Sequence, residues 1–253
     1  VKKHYRTYVK IGRAKKPEHS CASTVAGALD KIFGRLGRPA VVAVGGPGGI
    51  GKSTFAAKLK ALLADAEILK LDDYKTSRED RRRKNLHGPH PEANRFSLVR
   101  THLEALRRGE AIEKPVYCRK KGGDGAFEQI RPARFIIAEG EISTYRELHD
   151  LVDFSVFIDS HWKTQLNTRI TRDIEERGYS PEKAIEAFLH SNLREFAAHG
   201  AESKNWADVH VHCSEDYQLV IDAVCSKRLS FLIGEIAPEL SEQINKQASS
   251  SCT

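Results

Sequence analysis

The sequence predicts an α/β fold, a three-layer sandwich whose mostly parallel central sheet is covered by helices on both faces. Three observations support it. Short apolar runs such as Val41-Val42-Ala43-Val44 have the composition of strands buried on both sides. They alternate with longer stretches whose apolar residues recur at helical spacing, as crossover helices do in a parallel sheet. The first apolar run ends in glycines that lead straight into a helical stretch, the strand, loop and helix order of a phosphate-binding site.

The elements follow in order. Residues up to Lys16 are basic and unpatterned; Val25, Leu29, Ile32, Phe33 and Leu36 then mark a helix that Gly37 and Pro39 stop, expected to pack beside the core. The strand at 41–44 is followed by a helix over 53–64, and further strands are expected at 67–71, 134–138, 154–158 and 209–211. Helical patterns cover 97–108, 163–177 and 181–198, and 217–244 reads as one or two closing helices. Residues 1–39 are thus a basic segment and helix, 40–228 one α/β domain, and 229–253 a C-terminal helix with a frayed tail.

Forty per cent of the 253 residues are apolar, enough for a full core. Lys and Arg number 41 against 34 Asp and Glu, and the net charge of +7 favours anionic partners without choosing among them. No run reaches the roughly 18 apolar residues of a membrane span, and the start, Val1-Lys2-Lys3-His4-Tyr5-Arg6, lacks the apolar core of a signal peptide. A cytoplasmic protein with no membrane partner is expected. The five cysteines (Cys21, Cys118, Cys213, Cys225, Cys252) are scattered and never form C-x-x-C, which argues against a disulfide framework or a zinc ribbon.

Gly46-Pro47-Gly48-Gly49-Ile50-Gly51-Lys52-Ser53-Thr54 fits G-x-x-x-x-G-K-[ST] between an apolar strand and a helix, which makes it a P-loop. Gly46, Gly48, Gly49 and Gly51 let backbone N–H groups turn toward a phosphate, and the helix N-terminus adds its positive end. Lys52 is expected on the β and γ phosphates, Ser53 on Mg2+, and Thr54 at the helix start, so ATP with Mg2+ is the expected cofactor. Leu69-Lys70-Leu71 runs into Asp72-Asp73-Tyr74, carboxylates at a strand end where open α/β sheets bind ligands. A carboxylate there can take the proton of a hydroxyl attacking the γ-phosphate.

Over about 41–211 the chain resembles the phosphoribulokinase and uridine kinase family of small-molecule kinases. The matching segments, in order, are the P-loop, Leu71-Asp72-Asp73-Tyr74, His90-Pro91-Glu92-Ala93-Asn94-Arg95-Phe96, Lys114-Pro115-Val116-Tyr117, Phe135-Ile136-Ile137-Ala138-Glu139-Gly140, the strand from Asp153 to Asp159, and the segment from Arg169 to Gly178. The resemblance implies a P-loop NTPase fold with a helical lid and a small-molecule phosphate acceptor. It makes Asp72 the general base and Glu139 a ligand of Mg2+ or its bound water, and it places Arg172 and Arg177 in the lid over the nucleotide. Arg172 is expected to neutralise charge in phosphoryl transfer. By their places in or beside these segments, Tyr74, Arg78, His90, Tyr117 and Arg169 join Asp72 on the acceptor side, although a solvated face paired with Asp173, Glu175 and Glu176 suits Arg169 as well.

The departures bear on the acceptor. Uridine kinases typically carry Asp immediately before their His-Pro, where this chain has Pro89, and a His about five residues after the matched Tyr, where it has Cys118-Arg119-Lys120-Lys121-Gly122. The Asp72-Asp73-Tyr74 and Ala93-Asn94 segments are closer to phosphoribulokinases, but Lys75 replaces their His and Arg78 matches their next Arg only across a one-residue gap. A sugar phosphate and a uridine or cytidine are rival acceptors. The basic run Arg78, Arg81, Arg82, Arg83 and Lys84 reads equally as a solvated loop or as the holder of a sugar phosphate. A nucleotide switch or nucleic-acid-dependent ATPase is the reading from another class; no N-K-x-D or L-S-G-G-Q motif supports it, and no nucleic-acid partner is expected. A homo-oligomer is compatible with the sequence. His87 and His90 have no third ligand at metal spacing, His210 and His212 share a strand face, and Trp162 and Trp206 read as packing groups.

Overall fold

The computed structural model describes residues 8–10 and 20–225. In chain order these form β1 (Tyr8–Lys10), α1 (Cys21–Phe33), β2 (Ala40–Gly45), α2 (Lys52–Leu62), β3 (Ala66–Lys70), α3 (Arg78–Arg83), α4 (Phe96–Arg107), β4 (Ile112–Cys118), β5 (Gly123–Ile130) and β6 (Phe135–Glu139). β7 (Phe154–Ser160), α5 (Trp162–Glu175) and α6 (Pro181–Phe188) follow; α6 runs through a π-helical segment (Leu189–Phe196) into α7 (Ala197–His199), and β8 (Val209–Cys213) and β9 (Leu219–Cys225) come last.

Seven strands form one sheet in the order β1-β9-β8-β7-β2-β6-β3. The five from β3 to β8 in that order run parallel, and β9 and β1 add an antiparallel edge. β2 lies between β6 and β7, and its residues 40–44 are at most 1% exposed, as its uninterrupted apolar run requires. Strand periodicity divides it: Val42 and Val44 pack into a core with α1 and α2, Val41 into a second core with α4 on the other face. Those two cores and the sheet make the three expected layers. Because the central strands are parallel, the loops after β2, β3, β6 and β7 gather at one edge, where ligands bind open α/β sheets.

Helix starts follow their caps. Ser20 accepts the Ser23 amide at 3.2 Å before α1, and Ser180 accepts the Lys183 amide at 3.3 Å before α6, whose first residue is Pro181.

Four expectations change. The basic run 81–84 is not a loop: it belongs to α3 and its C-cap, and Ser77 starts that helix by accepting the Asp80 amide at 3.0 Å. Residues 112–130, for which no element is expected, form the antiparallel hairpin β4–β5; most of β5 is exposed, so it lacks the apolar alternation of a half-buried strand. The stretch from 217 is not helical within the described residues: the chain turns at Tyr217, φ 59°, and returns as β9. Trp162 is 47% exposed rather than packed, whereas Trp206 donates to the Thr144 carbonyl at 2.9 Å. The basic N-terminal stretch, the continuation of 217–244, the 229–253 tail and Cys252 lie outside the described residues. The other four cysteines are free, and no described helix is long and apolar enough to cross a membrane.

Candidate active site

The P-loop leaves β2 at Gly45 and enters α2 at Lys52. Gly46 has φ +130°, and a Cβ there would overlap the Ile158 carbonyl, so only glycine fits where β2 passes β7. Ile50, 2% exposed, anchors the loop in the core. Lys52 is 8% exposed and donates from Nζ to the Pro47 carbonyl at 2.7 Å. Burial lowers its pKa, while the charges of Glu141, Glu139 and Asp72 work the other way. The lysine therefore feels carboxylates from the end of β6, from the residues just after it and from the turn after β3.

Ser53 donates from Oγ to Glu139 Oε1 at 3.0 Å, which brings the two expected metal ligands together. Glu139 is 8% exposed; burial pushes its pKa up against the opposing pull of Lys52, and a divalent cation beside it would favour its charged form further. This pair of hard oxygens suits Mg2+.

β3 ends in a 3-10 turn, Leu71–Tyr74, that sends its two carboxylates different ways. Asp72 is exposed toward the P-loop and accepts Lys75 Nζ at 2.8 Å; the Lys75 ammonium, helped by Lys52 and Arg119, holds its carboxyl far below the usual carboxylate range. Asp73 points into the protein, accepting Lys114 Nζ at 2.6 Å and the Tyr117 amide at 3.0 Å. Tyr74 is fully buried, with its hydroxyl on His102 Nδ1 at 2.7 Å. It is a core residue, and the acceptor side does not include it.

The lid arginines meet at one carboxylate. Asp173, completely buried, pairs with Arg177 at 2.7 Å, Arg172 at 3.3 Å and Arg169 at 3.5 Å. Three guanidinium groups on one carboxylate leave a local positive excess, and the buried Nε atoms of Arg169 and Arg177 make no hydrogen bond among the described residues. This donor set fits phosphate oxygens. Arg169 is not on a solvated face: it is 8% exposed, bonds Asn192 Oδ1, and stands against Gly48 of the P-loop.

The remaining acceptor candidates lie around the 84–94 loop and the β4–β5 turn. Asn94 holds the loop by donating to the Gly88 and His90 carbonyls at 2.8 and 2.9 Å. Tyr145 donates to the Pro89 carbonyl at 2.9 Å. His90 caps the turn 91–93, accepting the Glu92 amide at Nδ1, and its ring stands against His199 rather than against Asp72. Tyr117 accepts Arg81 Nη2 at 2.7 Å under the same guanidinium, and Arg78 bonds the Arg119 carbonyl, which presents the 119–122 turn beside Asp72. The expected ordinary roles of His210 and His212 hold: they bond the Lys204 carbonyl and Asp159.

Three side chains at the site have no place in the sequence reading. Glu141 is the carboxylate that acts most strongly on Lys52 and stands beside Gly48 and Gly88; its one signal is its place two residues after Glu139. Lys75 reaches Asp72 and also approaches Gly88. Asn192, 4% exposed in the π-helical segment, donates to the Gly48 carbonyl at 2.9 Å and to Gln165 Oε1 at 3.0 Å, clamping the lid to the P-loop. Beyond the P-loop, a cavity of about 1000 Å³ between Gly49–Gly51, Thr54, Thr168 and the 216–220 turn is large enough for a base and sugar.

Fold and loop together define a P-loop nucleotide-binding protein of the kinase-like kind. The model of the Phosphoribulokinase / Uridine kinase family matches residues 19–219, and the chain belongs to that family. The phosphoribulokinase of Synechocystis sp. is 32% identical over 179 residues, 69% of this chain and 54% of that protein. The uridine kinase of Salmonella paratyphi A is 30% identical over 204 residues, 76% of this chain and 95% of that enzyme. The chain thus spans about half the length of the curated phosphoribulokinases it matches. The fold is shared with a Silicibacter sp. TM1040 protein provisionally named a fructose transport system kinase, at TM-score 0.62 and 20% identity over 81% of this chain and 98% of that one.

Proposed function

We propose that this chain is an ATP- and Mg2+-dependent kinase that phosphorylates a hydroxyl of a small sugar-containing acceptor. The observation that carries the reading is the convergence of Asp72, Lys52 and the Ser53–Glu139 pair from three adjoining strand ends. Mg2+-ATP supplies the transferable phosphoryl group. The P-loop amides and Lys52 hold its phosphates, Ser53 and Glu139 offer oxygens to the cation, and the arginines gathered by Asp173 stabilise transferring charge. Asp72 accepts a hydrogen bond from the acceptor hydroxyl. So acidic a carboxylate is a weak base, but in a loose transition state the proton leaves late and orientation dominates.

Lys75 and Arg119 beside Asp72 favour an anionic acceptor, a sugar phosphate, over uridine or cytidine. The test is ADP release from Mg2+-ATP in the presence of pentose phosphates, nucleosides, sugar acids or free sugars, with the Asp72→Asn variant as blank. Turnover with a sugar phosphate and loss in the variant are expected. Stimulation by RNA or DNA alone would replace the kinase with a nucleic-acid-dependent ATPase.

A further inference from the structure

We propose that His90, Glu195 and His199 form a binding site for one divalent transition-metal ion of the zinc type, tying the 84–94 loop to the segment that follows α6. One ligand atom from each of the three residues lies within 4.8 Å of the other two. Glu195 and His199 are i and i+4 on one helical face, with Oε2 and Nε2 3.6 Å apart, and His90 joins them from the 84–94 loop. The His90 and His199 rings are 4.6 Å apart and inclined at 66°, the edge of one set against the other, so neither ring is stacked away from the shared space.

The carboxylate is what calls for a cation. Glu195 is 5% exposed, yet its side chain makes no hydrogen bond among the described residues; the nearest cation is Arg194 at 3.8 Å, and the His199 ring nitrogen stands at 3.6 Å. A carboxylate withdrawn from water without close donors is unfavourable, and a metal ion would supply the missing charge. Two imidazoles and one carboxylate are a zinc donor set that leaves a fourth position open. They suit Mg2+ poorly, because that ion demands oxygens in an octahedron, so the site is chemically separate from the Ser53–Glu139 pair.

The surroundings permit ligation. Zinc bonds of about 2.1 Å put tetrahedral donors about 3.4 Å apart, which the 3.6 Å pair nearly meets and which rotation of the exposed His199 can complete. Asn94 and Tyr145 already hold the His90 loop. Ligation through His90 Nε2 moves the ring proton to Nδ1 and gives up the long 3.2 Å cap on the Glu92 amide. His90 comes from a loop, Glu195 from the end of a π-helical segment and His199 from α7 directly after it, and such a helical irregularity frequently accompanies functional sites.

The test uses the untagged full chain without nucleotide, so its result is independent of the kinase reading. After loading and desalting, one zinc per chain is expected. Co2+ should give the visible bands of a four-coordinate site without the thiolate charge-transfer band that the cysteines would produce. Glu195→Gln and His199→Ala should each weaken zinc binding about 10- to 100-fold and remove the zinc-induced rise in melting temperature; millimolar Mg2+ should not compete. His199 is exposed, so its variant folds even if the buried Glu195→Gln does not. Zinc uptake no greater in the wild type than in His199→Ala, or a thiolate band, would overturn the proposal.

Discussion

Asp72 owes its character to one neighbour. Lys75, 2.8 Å away, holds the carboxyl below its ordinary value of 3.8. Replacing it by Asn is expected to leave ATP affinity nearly unchanged and to cut turnover by about two orders of magnitude or more; equal kcat in variant and wild type would remove Asp72 from the reaction. Lys75→Met makes a second, signed prediction. With the ammonium gone the Asp72 pKa rises toward its ordinary value, so the acid limb of the kcat/KM profile moves to higher pH. An unmoved limb would place the titrating group elsewhere. The sequence makes Asp72 legible because a carboxylate at a strand end beside a P-loop has few other uses, and the Ser53–Glu139 contact follows from the same logic. Glu141, Lys75 and Asn192 are not legible in that way: their roles come from neighbours that only the folded chain brings close.

At the level of elements, the hairpin and the π-helical segment are the parts the sequence conceals. β5 is exposed along most of its length, so no core imposes a period on it, and β9 carries enough consecutive apolar residues to read as a helix. The hairpin is fastened by a buried charge instead. Lys114, 1% exposed, pairs with Asp73 at 2.6 Å and Glu128 at 3.0 Å. Lys114→Met leaves Asp73 with the Tyr117 amide but no counter-charge and should cost about 3 kcal/mol in denaturant unfolding; a loss under about half a kcal/mol would mean that Asp73 finds water instead. Asn192→Ala acts through the other concealed element. It removes the bonds to Gly48, Gln165 and Arg169 while leaving the helix face intact, and should weaken ATP binding about tenfold, the worth of one to two hydrogen bonds, with an unchanged far-UV spectrum. Unaltered affinity would show that the P-loop keeps its shape without the clamp.

Across the whole molecule, the apolar strands are readable because full burial leaves no room for polar residues, whereas their spatial order is not, since β6 and β7 flank β2 through contacts made after long crossovers. One side chain secures that order. Asp153, at the entry to β7, accepts both Arg38 Nη atoms at 2.8 and 2.7 Å and the Val41 amide at 2.9 Å, with Arg107 of α4 at 3.5 Å, so it joins β7, β2 and α4. Burial raises its pKa, but the Arg38 bonds, the Val41 amide and the charge of Arg107 outweigh that and leave it below the ordinary 3.8. The native state therefore binds this proton less readily than the unfolded chain does. The stabilisation is complete above the unfolded pKa of about 4 and disappears as pH falls through the lower native value. Asp153→Asn keeps the shape and removes the charge. It should cost about 2 kcal/mol at pH 7, less than for a fully enclosed pair because Arg38 is partly solvated, and the gap to wild type in denaturant unfolding should narrow as pH falls below the ordinary carboxylate range. A gap that stayed constant with pH would mean that the substituted amide is tolerated or rejected for its shape, and that the charge of Asp153 contributes nothing to holding the sheet in register.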